Sequence, residues 1–86
     1  DWYEAIEVCD NITYAGYDDW YLPSKSELNA MYRNESEIGG FSLSHYWSST
    51  EYDYDHAWIL HFDGGTDYYS DKSDSYRYRV RCVRKE

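Results

Sequence analysis

Hydrophobic positions at the start of the chain repeat with the period of an α-helix. Within residues 2–10, four apolar side chains recur at spacings of three and four, so they share one helical face. The members of this face are Trp2, Ala5, Ile6 and Cys9. The acidic residues between them would form the solvated side. The pattern predicts a first helix over residues 2–10.

A capping motif marks the start of a second helix. Ser24 is followed three residues later by Glu27, a spacing at which each side chain bonds the other residue's free backbone N–H. The inward face would then consist of Leu28, Met31 and Tyr32. We expect this helix to fray near Asn34 and a loop to start at Gly39 and Gly40.

From Tyr46 onward the hydrophobic period changes to two, which predicts β-strands. Residues 58–63 alternate between a buried set (Trp58, Leu60 and Phe62) and an outer set (Ile59, His61 and Asp63). This predicts a strand with one buried face. Gly64 and Gly65 then predict a tight hairpin turn.

Two further segments complete the predicted sheet. Residues 66–75 are polar and contain no Gly or Pro, which predicts a weak strand or an ordered loop. Residues 76–84 alternate again and place Tyr78, Val80 and Cys82 on one face. Two helices followed by an antiparallel sheet make an α+β fold.

Composition supports a small folded domain with an aromatic core. The chain has 86 residues, enough for a single domain, and 21% of them are aromatic. Disordered chains are poor in aromatic residues, so disorder is not indicated. With few Leu, Ile and Val available, we expect all four Trp residues to lie in the core: Trp2, Trp20, Trp47 and Trp58.

The net charge of −9 argues against nucleic acid, anionic membrane surfaces and sulfated glycans as partners. No segment is long and apolar enough for membrane insertion. Basic residues cluster in the last ten positions, at Arg77, Arg79, Arg81, Arg84 and Lys85. Our interpretation is that they neutralise an acidic body. The alternative is an anion-binding strip.

The two cysteines, Cys9 and Cys82, lie near opposite ends of the chain. A bridge between them would stabilise an exported protein by about 4 kcal/mol in the chain-entropy model. The alternative is two buried free thiols. Neither cysteine lies in a C-x-x-C motif or beside a His, so redox or zinc chemistry is not indicated.

Six blocks of sequence resemble a bacterial domain of unknown function that also forms the C-terminal region of some collagen-like adhesins. The blocks are DDWYLPSKSELNAMY (18–32), GGF (39–41), YWSSTE (46–51), AW (57–58), F-x-x-G (62–65) and YRVRCVR (78–84). They cover nearly the whole chain in the family's order. That domain is similar to the formylglycine-generating-enzyme branch of the C-type-lectin-like fold.

The resemblance implies two helices packed on a twisted antiparallel sheet and a disulfide between Cys9 and Cys82. It also implies N-terminal strands that this chain lacks. We therefore expect residues 1–86 to be a single lectin-like domain and a fragment of a larger protein. Either the domain is truncated, or another segment or subunit completes the sheet. The enzyme branch needs a reactive cysteine pair that is not matched here, so no enzyme activity is expected.

Lectin-like domains of this branch also host diversity-generating retroelements, which rewrite codons at adenines. An Asn codon then becomes Tyr, Asp, His, Ser, Ile, Thr or Gly, and residues 52–78 consist largely of these types. Trp58 and Lys72 are not reachable from such a codon and would be fixed positions. The alternative is a fixed sequence, because any antiparallel sheet with a polar outer face shows the same alternation.

These patterns predict a non-enzymatic ligand-binding module, an adhesin or receptor-binding domain that grips a protein or glycan with Tyr, Asp and Ser side chains. We expect it on a bacterial cell surface, secreted, or on a phage virion. The alternative is a structural subunit of an extracellular assembly. No cofactor is expected; calcium, bound near Asp53 and Asp55, is the alternative considered.

The predicted ligand-binding residues all lie in the Tyr- and Asp-rich half of the chain. They are Tyr52, Asp53, Tyr54, Asp55, His56, Ile59, His61, Asp63, Asp67, Tyr68, Tyr69, Asp71, Asp74 and Tyr76.

Overall fold

The computed structural model of the protein describes residues 1–40, 44–73 and 78–84. Within these residues, three helices precede a three-stranded antiparallel sheet, which confirms the α+β class. In chain order the elements are α1 (Trp2–Asn11), α2 (Lys25–Arg33), α3 (Glu35–Ile38), β1 (His45–Glu51), β2 (His56–His61) and β3 (Thr66–Asp71).

Both long helices begin with a reciprocal capping box. At α2 the Glu27 N–H donates to Ser24 Oγ at 3.1 Å, and the Ser24 N–H donates to Glu27 Oε1 at 2.9 Å, as predicted. At α1 the same arrangement joins Asp1 and Glu4, which the sequence pattern did not reveal. The predicted apolar face of α1 is confirmed, because Trp2, Ala5 and Cys9 are buried.

The strands form a meander in the order β1-β2-β3. The predicted hairpin after β2 is confirmed: the Gly65 N–H donates to the His61 carbonyl oxygen at 2.8 Å. Gly65 has a positive φ of 72°, and a Cβ there would overlap the ring of Tyr32. Residues 66–71, predicted as a weak strand or a loop, form the edge strand β3.

The sheet is covered on both faces, so the prediction of one buried face on β2 is wrong. Successive residues of a strand point to opposite faces. Ala57 and Ile59 therefore join the core beneath α1, whereas Leu60 and Phe62 join a second core beneath α2. Ile59, predicted to face outward, is only 3% exposed.

Two of the four tryptophans lie in the core as predicted, and two do not. Trp2 and Trp47 are buried, while Trp20 and Trp58 are half-buried. The indole N–H of Trp20 donates to backbone carbonyl oxygens of the preceding turn. Those carbonyl oxygens belong to Tyr14 and Tyr17, which lie in an exposed turn, so the bonds hold the Trp20 ring near the surface.

The C-terminal segment closes the α1 core without forming a continuous strand. Tyr78, Val80 and Cys82 pack on that core, which confirms their shared face. Arg79 forms a backbone bridge with Tyr46 of β1. Val83 forms a second bridge with Tyr21, which precedes α2. Because these partners lie on different segments, residues 78–84 form two isolated bridges where a strand was predicted.

A disulfide joins Cys9 of α1 to Cys82, with a Cα–Cα distance of 5.4 Å. This confirms the pairing that the resemblance implied, and it excludes the alternative of two free thiols. The bridge ties the first helix to the last segment, so both ends of the chain are held against the same core.

Candidate ligand-binding surface

Three aromatic rings meet on the sheet face that carries α2, and we call them the aromatic platform: Tyr52, Trp58 and Tyr69. The rings of Tyr52 and Tyr69 are stacked, with centroids 4.0 Å apart and an interplanar angle of 3°. Trp58 meets both rings edge-on, at 5.2 and 5.9 Å. Tyr52 and Tyr69 are 47% and 52% exposed, so the stacked pair presents a large apolar surface to solvent.

The strand register assembles the platform. Trp58 and Tyr69 are direct cross-strand partners on β2 and β3, and directly opposed side chains on one face lie within contact distance. Tyr52 follows β1, and its backbone N–H donates to the His56 carbonyl oxygen at 2.9 Å. This bond closes the turn between β1 and β2 and brings Tyr52 over Tyr69.

A lysine from α2 packs on the platform. Lys25 Nζ lies 3.7 Å from the centroid of the Trp58 ring and 4.0 Å from Asp67 Oδ2. Asn29 Nδ2 donates to the other oxygen of the same carboxylate at 3.1 Å. The tryptophan ring and the Asp67 carboxylate together hold the ammonium group by a cation–π contact and an ion pair.

Two carboxylates border the platform, and we call Asp53 and Asp71 the acidic rim. Asp53 Oδ1 lies 2.7 Å from His56 Nδ1, and this hydrogen bond is the main cause of the lowered pKa of Asp53. Hydrogen bonds from the hydroxyl and backbone N–H of Ser73 lower the pKa of Asp71. Both carboxylates are therefore ionised at neutral pH.

The pKa of His56 is shifted in the opposite direction. Its hydrogen bond to Asp53 raises its pKa above the ordinary value, and the negative charges of Asp71 and Asp55 act in the same sense. His56 lies edge-on to both tyrosines of the platform, at 6.3 and 5.6 Å. It therefore links the acidic rim to the aromatic rings.

A buried lysine holds the turn over residues 52–55. Lys72 is 5% exposed, and its Nζ donates to Glu51 Oε2 at 2.9 Å and to the Tyr54 carbonyl oxygen at 2.8 Å. Its backbone N–H donates to the Asp55 carbonyl oxygen at 2.8 Å. The bond to Glu51 raises the pKa of Lys72. Tyr54, 89% exposed, projects from a turn whose backbone is fixed.

A second aromatic group lies on the opposite sheet face. His45 and His61 stack with ring centroids 4.1 Å apart, and Tyr68 and Tyr78 lie beside them. Burial lowers the pKa of His45, and the charge of His61 lowers it further. The sheet separates this group from the aromatic platform, so the two cannot contact one small ligand together.

The structure brings together only part of the predicted site. Platform, rim and turn contain six of the predicted residues: Tyr52, Asp53, Tyr54, Asp55, Tyr69 and Asp71. Two more lie beside them: His56 bonds Asp53, and Asp67 pairs with Lys25. His61 and Tyr68 lie on the opposite face, and Asp63 is exposed in the distal hairpin turn. Asp74 and Tyr76 lie outside the described residues.

One predicted site residue is corrected, and two were missed. Ile59 is buried against α1 and cannot contact a ligand without unfolding. Trp58, a ring of the platform, and Lys25, which packs on that ring, were not predicted as site residues. Trp58 was assigned to the core from its alternation. No local signal pairs Lys25 with it, because the two residues lie on different elements.

The chain matches the model of the Lcl C-terminal domain family over residues 1–84. It belongs to the Lcl C-terminal domain family. The match covers almost the whole chain and confirms the resemblance at the level of the family. Among proteins of curated function, no significant match was found.

The described residues of this Lcl C-terminal domain contain neither a cluster of metal ligands nor a membrane-spanning helix. In the described part of the chain, no three His, Cys, Asp or Glu side chains converge as metal ligands would. Asp53 and Asp55, the residues considered for calcium, are joined by a hydrogen bond from the Asp55 N–H to Asp53 Oδ1 at 2.9 Å. None of the described helices is both long enough and apolar enough to span a bilayer.

An open groove of about 940 Å³ lies between α1 and the C-terminal segment of the domain. Its walls include the exposed side chains of Val8, Tyr14 and Ile38. Arg84 at this groove pairs with Asp19, with Nε 2.8 Å from Oδ1. This contact agrees with the interpretation that the C-terminal basic residues neutralise an acidic body.

Proposed function

We propose that this Lcl C-terminal domain is a non-enzymatic ligand-binding module that grips its ligand with the aromatic platform and the acidic rim. The observation that carries the proposal is the stacked, half-exposed pair of Tyr52 and Tyr69 beside Trp58. Aromatic side chains bury large areas at low entropic cost, and a few such anchors supply most of the affinity of many interfaces.

Pre-organisation supports the same proposal. Lys72 fixes the turn beside the platform, and the strand register fixes Trp58 and Tyr69. Side chains already held in their bound arrangement lose little entropy on binding, so more of the contact energy appears as affinity. A protein or glycan ligand with a flat apolar surface would suit this arrangement.

The fold and the location that the family resemblance implies are part of the same proposal. The fold would be C-type-lectin-like, and the domain would act outside the cell, on a bacterial surface or a phage virion. The Cys9–Cys82 disulfide supports an extracellular location, because such bonds persist in oxidising compartments.

Diversification of the surface is part of the same proposal and has its own test. The coding region would be sequenced across a population of the source organism. Substitutions at adenine-derived codons are expected at exposed positions such as Tyr52, Tyr54 and Tyr69, and not at buried Ile59. A uniform sequence would remove diversification and leave a dedicated adhesin.

Ligand binding is tested by screening the domain against a glycan array and a displayed peptide library. The matched variants are Tyr69→Ala, which removes half of the stacked pair, and Tyr14→Ala, which removes a tyrosine that is 65% exposed elsewhere. Tyr69→Ala should abolish binding of platform ligands, and Tyr14→Ala should leave that binding unchanged. Hits that both variants bind equally would contradict the proposal.

The open groove favours a second candidate function, that of a subunit in an extracellular assembly. Contiguous exposed apolar side chains such as Val8, Tyr14 and Ile38 are typical of protein contacts. Sedimentation velocity over a range of concentrations separates the two functions. Association that Val8→Asp abolishes would support the assembly, and a monomer at all concentrations would exclude it for the isolated domain.

A further inference from the structure

We propose that the ligand of the aromatic platform is a protein segment carrying arginine or lysine side chains. The inference rests on the proposed function, because it names the ligand class of that same surface. A cationic side chain would lie against the exposed rings of Tyr52 and Tyr69 and form ion pairs with the acidic rim.

The first observation is how the carboxylates are arranged around the rings. Asp67, Tyr69 and Asp71 alternate along β3 and therefore share one sheet face. Asp71 is the cross-strand partner of His56, which itself bonds Asp53. The stacked tyrosines are thus bordered by two carboxylates whose described hydrogen bonds all use Oδ1.

The second observation is that, among the described residues, the domain binds its own cations in this way at three places. Lys25 lies over Trp58 beside Asp67, and Lys72 lies 4.7 Å from the Trp2 centroid while bonding Glu51. Arg84 lies 3.5 Å from the Tyr17 centroid and pairs with Asp19. Each place combines an aromatic ring with a carboxylate. The quadrupole of the ring and the negative charge of the carboxylate both attract a cation.

The aromatic platform offers the same combination to a partner. Within the described residues, the rings of Tyr52 and Tyr69 contact other aromatic side chains and no lysine or arginine. Lys25 already covers Trp58, so the two tyrosines are the part of the platform left for a ligand. Their exposure of about one half is consistent with this role.

The charge of the whole domain acts in the same direction. A net charge of −9 attracts basic partners over a distance and repels acidic ones. A neutral glycan would gain nothing from this long-range field, although its hydroxyl groups can donate hydrogen bonds to the carboxylates of the acidic rim. A basic protein segment uses the rings, the carboxylates and the field together, which is why we favour it over a glycan.

The test measures binding of three synthetic peptides of equal length by titration of the ¹⁵N-labelled domain. One peptide carries arginines at alternate positions, the second has glutamines there and the third has glutamates. The arginine peptide should bind and shift the amide resonances of Tyr69 and Asp71. Its affinity should fall as the sodium chloride concentration is raised. The other two peptides should not bind.

Variants of the domain then locate the contact. Tyr69→Ala and Asp71→Asn should each lower the affinity for the arginine peptide by roughly 3- to 30-fold. This is the range expected for loss of a cation–π contact or a charge-assisted hydrogen bond. Asn keeps an oxygen that can accept from Ser73, so Asp71→Asn should leave the fold intact. The matched controls Tyr14→Ala and Asp63→Asn should leave the affinity unchanged.

The outcomes separate this inference from the proposed function. Equal weakening by Asp71→Asn and Asp63→Asn would show non-specific attraction and overturn the inference. A neutral oligosaccharide that needs Tyr69 but neither Asp71 nor low salt would also overturn it, while leaving the binding surface standing. If no ligand class depends on Tyr69, the proposed function itself falls.

Discussion

Ile59 and Tyr68 are cross-strand partners, yet their environments differ sharply. Ile59 is 3% exposed beneath α1, whereas Tyr68 is 45% exposed. We predict that Ile59→Ala lowers the free energy of unfolding by about 2–5 kcal/mol, because it leaves a cavity in the core. Tyr68→Ala should cost about 1 kcal/mol or less. Urea denaturation of both variants checks this.

The same pair limits where this surface could vary. A polar residue at position 59 would be buried without a partner and would cost more than a cavity. Position 68 has no such restriction. Equal, small effects of the two alanine variants would show that position 59 is open to solvent, and it would return to the set of candidate ligand-binding positions.

His56 and His45, which lie on opposite sheet faces, should titrate at different pH values. The hydrogen bond to Asp53 raises the pKa of His56, while burial and the charge of His61 lower the pKa of His45. NMR titration of the imidazole resonances should therefore find His56 protonated at a pH where His45 is already neutral. Asp53→Asn should lower the pKa of His56 and leave that of His45 in place.

The sign of the pH effect on stability follows from these shifts. Because the folded-state pKa of His56 is raised, its contribution is present below the unfolded value of about 6.5 and is lost as pH rises through the folded value. Asp53 has a lowered pKa, so its contribution is lost as pH falls through that lower value. The pair therefore stabilises the fold most at a pH above the lowered pKa of Asp53 and below the raised pKa of His56. Asp53→Asn should reduce this dependence and leave the smaller part that Asp55 and Asp71 cause.

At the start of α2, the hydroxyl of Ser24 caps the helix that carries Lys25. Ser24 Oγ accepts from the Glu27 N–H, and Lys25 is the first residue of the helix. We predict that Ser24→Ala lowers stability by about 1 kcal/mol through loss of the cap. Ser26→Ala, in the same turn but exposed, is the matched control and should change stability by a few tenths. Thermal unfolding of both variants measures the difference.

The turn between β1 and β2 depends on Lys72. Removing its ammonium group would free the Tyr54 carbonyl oxygen and the Glu51 carboxylate. We predict that Lys72→Met speeds amide exchange at Tyr52 and Asp53, whose N–H groups bond the His56 carbonyl oxygen. Lys25→Met should leave these amides protected. Unchanged exchange in the Lys72 variant would show that the backbone bonds alone hold the turn.

For the molecule as a whole, the disulfide is a covalent constraint between the two ends of the fold. It joins residues 73 positions apart and closes most of the chain into one loop. Replacing both cysteines by alanine should lower the free energy of unfolding by about 4 kcal/mol in the chain-entropy model. A small domain has little stability in reserve, so the variant should be partly unfolded at ordinary temperatures.

Reductant provides the control for this prediction. Dithiothreitol should destabilise the wild-type domain by a similar amount and have no effect on the double alanine variant. A wild-type denaturation midpoint that does not move with reductant, after mass spectrometry has confirmed reduction, would contradict the prediction.

Several features follow from the sequence alone because local chemistry decides them. The capping box of Ser24 and Glu27, the apolar face of α1 and the turn at Gly65 each depend on residues within a few positions of one another. The α+β class follows from the change of period near Tyr46. The pairing of Cys9 with Cys82 came from the family resemblance, since spacing alone left free thiols open.

Only the tertiary structure decided which face of each strand meets solvent. Alternation separates two sets of side chains but does not say how many helices cover the sheet, and here α1 and α2 cover opposite faces. That arrangement buries Ile59, divides the predicted site and brings Lys25 onto Trp58. These contacts join residues far apart in the chain, so their geometry is set by packing between elements and not by any local pattern.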